Sequence, residues 1–332
     1  MDDGSDYRQR IEGAFSNIFD ISGLSDLATA KLIQSNEIVI LVNLNGFFGQ
    51  PRQGVFSYKP APVQVNYLGF PGSIGAKYID YIIADNVVLP DESKKYYFEK
   101  VVYLPNSYQA NDNKRIISKR QFTKAELGQP EESFVFACFN NNYKIVPSTF
   151  DLWCRILVRV EGSTLWLLED NSTAKENLIK EAVARGIDPI RLVFAERLAL
   201  SDHLARHQFA NLFLDTFPYT AHTTCSDALW AGLPILTLMG ESFANRAAAS
   251  PLHTINLPEL ITSSQDQYET LAIELAKNPE KLRVINQKLA NNRLTTPLFD
   301  MPKFTQYIEK AYTRIMERYW TDLPPEHLYI EP

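Results

Sequence analysis

The second half of the chain alternates regularly between short apolar strands and helices, and this alternation restricts the fold more than any other feature. Strand-like runs occur at Phe134–Cys138, Leu165–Leu168, Arg191–Phe194, Asn211–Leu214 and Ile235–Leu238. Short helix-like segments lie between them, at Pro147–Val160, Ala174–Arg185 and Ser201–Phe209. Apolar strands separated by helices are typical of a parallel sheet that is covered on both faces. The sequence therefore predicts an α/β fold with a doubly wound parallel sheet.

The first part of the chain predicts a second, less complete unit. Helices are expected at Asp6–Phe19 and Leu24–Ile33, and strands at Glu37–Val42, Pro62–Leu68, Tyr78–Ala84 and Val101–Leu104. Gln109–Lys124 is polar, basic and without periodicity, so it is interpreted as a linker. Helices are also predicted at Gln265–Lys277, Pro279–Asn291 and Lys303–Tyr319. We place a partial first domain at residues 1–125, a second domain at 126–298 and a returning C-terminal helix at 299–332.

Charge and cysteine content exclude several classes of function. A net charge of −6 over 332 residues argues against sequence-independent binding of nucleic acid. The three cysteines have no metal-ligand spacing, and their odd number favours a reducing compartment, hence the cytoplasm. The acidic start, MDDGSDYRQR, does not resemble a signal peptide. No apolar run reaches the ~18 residues that a membrane span needs.

The stretch Leu214–Pro234, LDTFPYTAHTTCSDALWAGLP, predicts a strand, a loop and a short helix. His222, Thr223 and Thr224 fall in the first turn of that helix. Thr224 and Asp227 have the spacing of a capping box. Free backbone N–H groups, two hydroxyls and an imidazole at a helix N-terminus predict a site for an anion, above all phosphate. The alternative is that the threonines only cap the helix.

Three polar loops are expected to meet at one edge of the second sheet, because loops that follow parallel strands share an edge. One ends in Lys144, one carries His203 and one carries His222, Thr223 and Thr224. A cation beside a helix N-terminus suits a diphosphate, and Asp227 could accept hydrogen bonds from ribose hydroxyls. The alternatives are a solvated Lys144, an exposed His203 and an Asp227 that only caps its helix.

No motif indicates a metal or an organic cofactor. The sequence contains no GxGxxG, no GxxxxGK[ST], no HExxH, no CxxC pair and no GxSxG. The glycine-containing loop Gly69–Gly75, GFPGSIG, allows close approach of the backbone to a small ligand, but a plain turn explains it equally well.

Four stretches resemble the O-GlcNAc transferase family, which also includes the plant SPINDLY proteins and many bacterial relatives. They are PAPVQVNYLGFPGSIGAKYIDYIIAD at Pro60–Asp85, FNNNYK at Phe139–Lys144, the HTT-containing stretch Leu214–Pro234, and GESFANRAAAS at Gly240–Ser250. The resemblance runs through nearly the whole chain. It implies a GT-B arrangement, in which two Rossmann-like domains face a cleft, with the first domain incomplete here.

The resemblance also implies roles for individual residues. Lys144 would be the catalytic residue, neutralising the diphosphate leaving group. The donor diphosphate would bind His222, Thr223 and Thr224. Ribose and nucleoside would be bound by Asp227, His203, Asn141 and Leu198. The sugar would be bordered by Leu68, Gly69 and Pro71 of the first domain.

Two departures from the family pattern stand out. The catalytic region of the family usually opens with a further strand and a His-Pro loop, whereas no histidine precedes His203 here. We therefore expect the chain to be N-terminally truncated relative to the family, without the helical TPR repeats and without a candidate general base. Phe48, in the loop Gly46–Arg52, stands where relatives commonly have threonine.

The expected function is inverting, metal-independent transfer of GlcNAc or a related sugar from a nucleotide sugar, such as UDP-GlcNAc, to Ser or Thr hydroxyls of a protein. No cofactor, no nucleic acid partner and no membrane span are expected. Two alternatives stay open. The chain binds nucleotide sugar without catalysing transfer, or it is an O-fucosyltransferase that uses GDP-fucose.

Overall fold

The computed structural model describes residues 4–332, and the first three residues of the acidic N-terminal stretch lie outside the described part. Within residues 4–332 all strand pairs are parallel and form two sheets. The strands are β1 Ile40–Asn43, β2 Val63–Asn66, β3 Tyr81–Ala84, β4 Lys100–Tyr103, β5 Val135–Cys138, β6 Thr164–Leu168, β7 Leu192–Ala195, β8 Leu212–Leu214, β9 Ile235–Leu238, β10 Ile261–Thr262 and β11 Leu328–Tyr329.

Helices alternate with most of these strands. They are α1 Asp6–Glu12, α2 Asp26–Ser35, α3 Gln53–Ser57, α4 Pro147–Arg159, α5 Ser172–Ala184, α6 Leu200–Arg206, α7 Thr223–Ala231, α8 Phe243–Arg246, α9 Ala249–Thr254, α10 Gln265–Lys277, α11 Pro279–Thr295 and α12 Met301–Trp320. No helix within residues 4–332 has both the length and the apolarity that crossing a bilayer requires.

The second sheet has the strand order β7-β6-β5-β8-β9-β10, read from one edge to the other. The chain moves outward in one direction from β5 to β7 and in the other direction from β8 to β10. The direction therefore reverses between β5 and β8, and in doubly wound sheets a ligand crevice opens at the carboxyl ends of the strands at such a point. The α/β prediction is confirmed, and the predicted phosphate loops follow the two strands that flank the reversal.

The first sheet has the order β1-β2-β3-β4-β11, so its last strand comes from the far end of the chain. Leu328 pairs with Val102. Helix α12 packs on this sheet, where Tyr307, Ala311 and Ile315 join the buried cluster that contains Val65. The C-terminal segment thus completes a core begun by residues near the N-terminus. The domain boundaries at 125/126 and 298/299 stay a prediction.

The predicted helix over Asp6–Phe19 is wrong in its second half. Helix α1 ends at Glu12, and Gly13 follows as its C-cap. The apolar residues Ile11 and Phe15 of this segment are 51% and 63% exposed. Since most helical stability in proteins comes from packing an apolar face, a segment without a packing partner does not continue the helix.

Candidate functional site

A cavity of about 580 Å³ lies where the carboxyl ends of the two sheets face each other. Phe48, Leu68 and Gly69 line it from the first-sheet side. Lys144 and the start of α7 line it from the second-sheet side, and Gln109–Asp112 of the connecting segment close it. The cavity thus has an apolar wall on one side and a cationic, N–H-rich wall on the other.

Lys144 supplies the positive charge of the cavity. It lies in a single 3₁₀ turn after β5 and is only 8% exposed. Its Nζ donates to the carbonyl oxygen of Thr220 at 2.9 Å and lies 4.2 Å from the centre of the Tyr219 ring. Burial lowers the pKa of Lys144, and the nearby Asp215 carboxylate opposes that shift. A protonated amine has three donors, and the described residues provide an acceptor for one, so two remain for a ligand.

The N-terminus of α7 is uncapped by side chains, and the predicted capping box is wrong. The N-cap residue is His222, and no side chain accepts from the first-turn N–H groups. The Thr224 hydroxyl donates to Asn140 Oδ1, and Asp227 pairs with Arg115. The side chains of Thr224 and Asp227, which were predicted to cap the helix, therefore bond to residues of other elements instead. The Cys225 N–H donates to the His222 carbonyl oxygen at 3.0 Å, so the backbone N–H groups of Thr223 and Thr224 are the ones that stay available to an anion.

His222 presents an unpartnered nitrogen beside this helix end. Its Nε2 is buried and has no hydrogen-bond partner among the described residues. Burial, together with the positive charge of Lys144, lowers the pKa of His222 to about 3. The imidazole is therefore neutral at pH 7 and carries one N–H. A buried polar atom without a partner is costly, and a ligand oxygen or hydroxyl in the cavity would satisfy it.

A buried polar network fixes the loop that carries His222. Asn140 Nδ2 donates to Asp215 Oδ1 at 3.0 Å and to the Thr216 hydroxyl oxygen at 2.8 Å. Asp215 also accepts from the Ala221 N–H at 2.8 Å and from the Thr237 hydroxyl at 2.7 Å. Burial raises the pKa of Asp215 to about 6. The loop between β8 and α7 is thereby held in one conformation before any ligand arrives.

Gly69 allows the apolar wall to form. A Cβ at this position would collide with the carbonyl oxygen of Leu44, in the loop after β1. Leu68, just before it, has a φ of +74°, a backbone conformation that residues other than glycine seldom adopt. The loops after β1 and β2 thus approach each other at the level of their backbones and bring Leu68 to the cavity.

The structure brings most of the predicted site residues to the cavity. Those that line it are Leu68, Gly69, Asn141, Lys144, His222, Thr223, Thr224 and Asp227. Pro71, Leu198 and His203 are not among the lining residues, whereas Leu200 is. His203 contacts Arg206 through Nδ1 at 2.6 Å, and burial lowers the pKa of His203 to about 2. The roles of all these residues stay predictions.

Sequence reasoning missed several residues of the site. Asn140 lies within the stretch Phe139–Lys144 but has no predicted role, and no motif marks Tyr219. Arg115 belongs to the predicted linker, but it is 8% exposed and reaches Asp227, which lies 112 positions further along the chain. The one available signal was the basic character of Gln109–Lys124, which is unusual in a chain with a net negative charge.

Comparison with known proteins gives the same picture over the whole chain. The sequence profile of Glycosyl transferase family 41 matches residues 1–123 and 120–308. The Arabidopsis thaliana protein named probable UDP-N-acetylglucosamine–peptide N-acetylglucosaminyltransferase SEC is 37% identical over 99% of this chain. The Petunia hybrida protein with the same enzyme name and the designation SPINDLY is 29% identical over 90% of this chain. These matches cover 34% and 32% of the two plant proteins, so the chain spans about a third of their length.

A solved structure matches the fold closely. A variant of the O-GlcNAc transferase of Thermobaculum terrenum superposes with a TM-score of 0.86 at 28% identity. The match covers 96% of this chain and 60% of that protein. The predicted GT-B arrangement is confirmed, and so is the similarity of the chain to the O-GlcNAc transferase family.

Proposed function

Because the chain belongs to glycosyl transferase family 41, we propose that it transfers a sugar from a nucleoside diphosphate donor to a Ser or Thr hydroxyl of a protein. UDP-GlcNAc is the donor proposed first, since the plant relatives carry that name. The transfer would proceed with inversion and without a metal ion. The family membership supports glycosyl transfer, and the cavity supports the nucleotide chemistry.

One observation carries the proposal. The ammonium of Lys144, the uncapped first turn of α7 and the unpartnered His222 Nε2 all line a single cavity. Two unused ammonium donors and free backbone N–H groups match the oxygens of a diphosphate, and the unpartnered His222 Nε2 lies beside them. Thr223 adds a hydroxyl at the same helix end, and Thr224 adds its backbone N–H, because its hydroxyl proton is donated to Asn140 Oδ1.

The chemistry follows from where negative charge develops. The bond between the anomeric carbon and the diphosphate oxygen breaks, and its electron pair stays on the departing nucleoside diphosphate. The acceptor oxygen bonds to that carbon from the opposite face, and its proton passes to a diphosphate oxygen or to water. Lys144 and the positive end of α7 stabilise the leaving group, because donors fixed where charge develops lower the barrier.

The apolar wall suits the sugar and the acceptor. Leu68, Gly69 and the ring of Phe48 face the cavity across from Lys144. Phe48 is 60% exposed, so its ring is available for contact. We place the sugar between this wall and the diphosphate, with Pro71 at its border. The nucleoside is placed toward Asp227, Asn141, Leu198 and His203.

A donor panel tests the proposal. Purified chain would be titrated calorimetrically with UDP, UDP-GlcNAc, GDP and GDP-fucose, and the same sample would be assayed for sugar transfer to a panel of Ser/Thr peptides. Binding of UDP-GlcNAc together with transfer supports the proposal. Binding and transfer with the GDP-fucose pair instead would make the chain a fucosyltransferase. Binding without transfer would mean that the chain is a nucleotide-sugar-binding protein. If neither UDP nor GDP binds, both the transferase proposal and the binding-protein alternative are overturned.

A further inference from the structure

The segment that connects the two sheets lines the cavity, and its Arg115 side chain reaches across to helix α7. Its Nη1 pairs with Asp227 Oδ1, and its Nη2 donates to the Ser226 hydroxyl oxygen at 3.1 Å. Its Nε donates to the carbonyl oxygen of Asp112 at 2.9 Å, which folds the segment back on itself. All three nitrogens of the guanidinium therefore have hydrogen-bond partners. Nη1 and Nη2 contact two consecutive residues of α7, whereas Nε contacts its own segment.

Aromatic side chains hold the guanidinium in place. Its central carbon lies 5.6 Å from the centre of the Trp230 ring and 5.7 Å from that of Phe299. The Trp230 indole N–H donates to the Arg115 carbonyl oxygen at 3.1 Å, so the backbone at Arg115 is anchored as well. Breaking one partner of such a buried pair leaves an uncompensated charge.

Arg115 binds one of the two carboxylate oxygens of Asp227. Only Oδ1 receives Arg115, and Oδ2 has no hydrogen-bond partner among residues 4–332. Asp227 nevertheless lines the cavity. A carboxylate held on one oxygen and open on the other is arranged to accept hydrogen bonds from hydroxyls of a ligand.

From this arrangement we infer that Arg115 is a positioning residue, which fixes the Asp227 carboxylate so that its free oxygen accepts from the ribose hydroxyls of the donor. The inference rests on the proposed function, because it needs a ribonucleotide in the cavity. Arg115 acts on the ribose through Asp227, because all three of its guanidinium nitrogens are already engaged by protein oxygens. Burial raises the pKa of Asp227 and Arg115 opposes that shift. Arg115 also holds the carboxylate in one rotamer, so the cost of orienting it is met before binding.

The test compares ligands with and without ribose hydroxyls. The dissociation constants of UDP, 2′,3′-dideoxy-UDP and inorganic pyrophosphate would be measured by calorimetry for the wild type, Arg115→Met and Arg115→Lys. If the donor panel shows that the chain binds GDP and not UDP, then GDP and 2′,3′-dideoxy-GDP would be used in place of the two uridine compounds. Arg120→Met is the matched control, since Arg120 lies on the same segment with a half-exposed side chain and pairs with Asp202 instead.

Arg115→Met should weaken the binding of the ribonucleotide about tenfold to a hundredfold, the range for one hydrogen bond to a charged group. It should leave the dideoxy nucleotide and pyrophosphate unchanged. Arg115→Lys keeps the charge but cannot reach Asp227 and Ser226 together, so a smaller loss confined to the ribonucleotide is expected. This variant also serves if Arg115→Met fails to fold, as judged by circular dichroism. Arg120→Met should bind all three ligands like the wild type.

Equal losses for the ribonucleotide and the dideoxy nucleotide would overturn the inference, because Arg115 would then not act through the ribose. No loss in either folded variant would overturn it too. The proposed function fails differently. In that case the wild type binds neither diphosphate nor pyrophosphate, and the inference falls with it.

Discussion

The Tyr219 ring lies parallel to the His222 imidazole, with the ring centres 5.1 Å apart and the planes 15° from each other. The Lys144 ammonium lies 4.2 Å from the centre of the same tyrosine ring. Tyr219 therefore contacts both groups that are proposed to bind the diphosphate. It couples the loop after β5 to the loop after β8, at the point where the strand order reverses.

Replacing Tyr219 should weaken nucleotide binding in proportion to the loss of the ring. A cation–π contact that is shielded from water is worth about 2 kcal/mol. We expect Tyr219→Leu to raise the dissociation constant for UDP at least about tenfold. Tyr219→Phe is the matched control and should bind like the wild type. Equal affinities of the Leu and Phe variants, measured by calorimetry, would refute a role for the ring.

Lys144→Ala should remove turnover while the chain stays folded. Loss of one preorganised donor to a developing negative charge typically costs about 100- to 1000-fold in kcat. Transfer would be measured with the donor that the titration panel selects, and folding by circular dichroism. Lys281→Ala is the control, because Lys281 pairs with Glu274 at an exposed position on α11. A Lys144→Ala variant that retains full activity would show that the assignment is wrong.

His222 should make the stability of the fold depend on pH. The pKa of its imidazole is lowered to about 3 in the folded chain, from 6.5 when unfolded. Stability from this group is therefore present above pH 6.5 and is lost progressively as the pH falls toward 3. Between pH 7 and pH 5 the loss is about 2 kcal/mol. Urea unfolding at both pH values should give a smaller loss for His222→Gln than for the wild type. Identical losses would mean that the imidazole is not buried in its neutral form.

Gly69→Ala should destabilise the apolar wall. The added methyl group meets the carbonyl oxygen of Leu44, and forcing extra atoms into a packed contact typically costs about 1–3 kcal/mol. Both the melting temperature and sugar transfer should fall. Gly23→Ala is the control, since no atom lies within 4 Å of a Cβ built at that position. Comparable melting temperatures for the two variants would contradict the close approach of the two loops.

Chelation should leave transfer intact. The charge on the leaving group is assigned to Lys144 and the N-terminus of α7, so no step requires a divalent cation. Transfer would be measured after dialysis against EDTA, and again after Mg²⁺ or Mn²⁺ is restored. Activity that disappears with EDTA and returns with the metal would require a different account of leaving-group stabilisation.

The second sheet was predictable because its strands are nearly continuous apolar runs. All residues of β5, β6 and β8 are buried, so their sequences carry a strong local signal. The two-residue strands β10 and β11 were missed, since so short a strand is defined by its neighbour rather than by its own residues. The same holds in the site. The positions of Lys144 and His222 are predictable because the loops that follow parallel strands lie at the same edge of the sheet. No local sequence pattern reveals that Arg115 pairs with Asp227.

The pairing of β11 with β4 has a consequence for how the chain is made. Val102 finds its partner Leu328 only after the entire second sheet has emerged from the ribosome. Until then β4 pairs only with β3, and its other side is an unpaired edge, a kind of surface that invites association with other chains. We expect nascent chains arrested before Leu328 to be cut by protease within the first sheet, and released chains that include β11 to resist. Equal resistance of both would mean that the first sheet is stable before its last strand arrives.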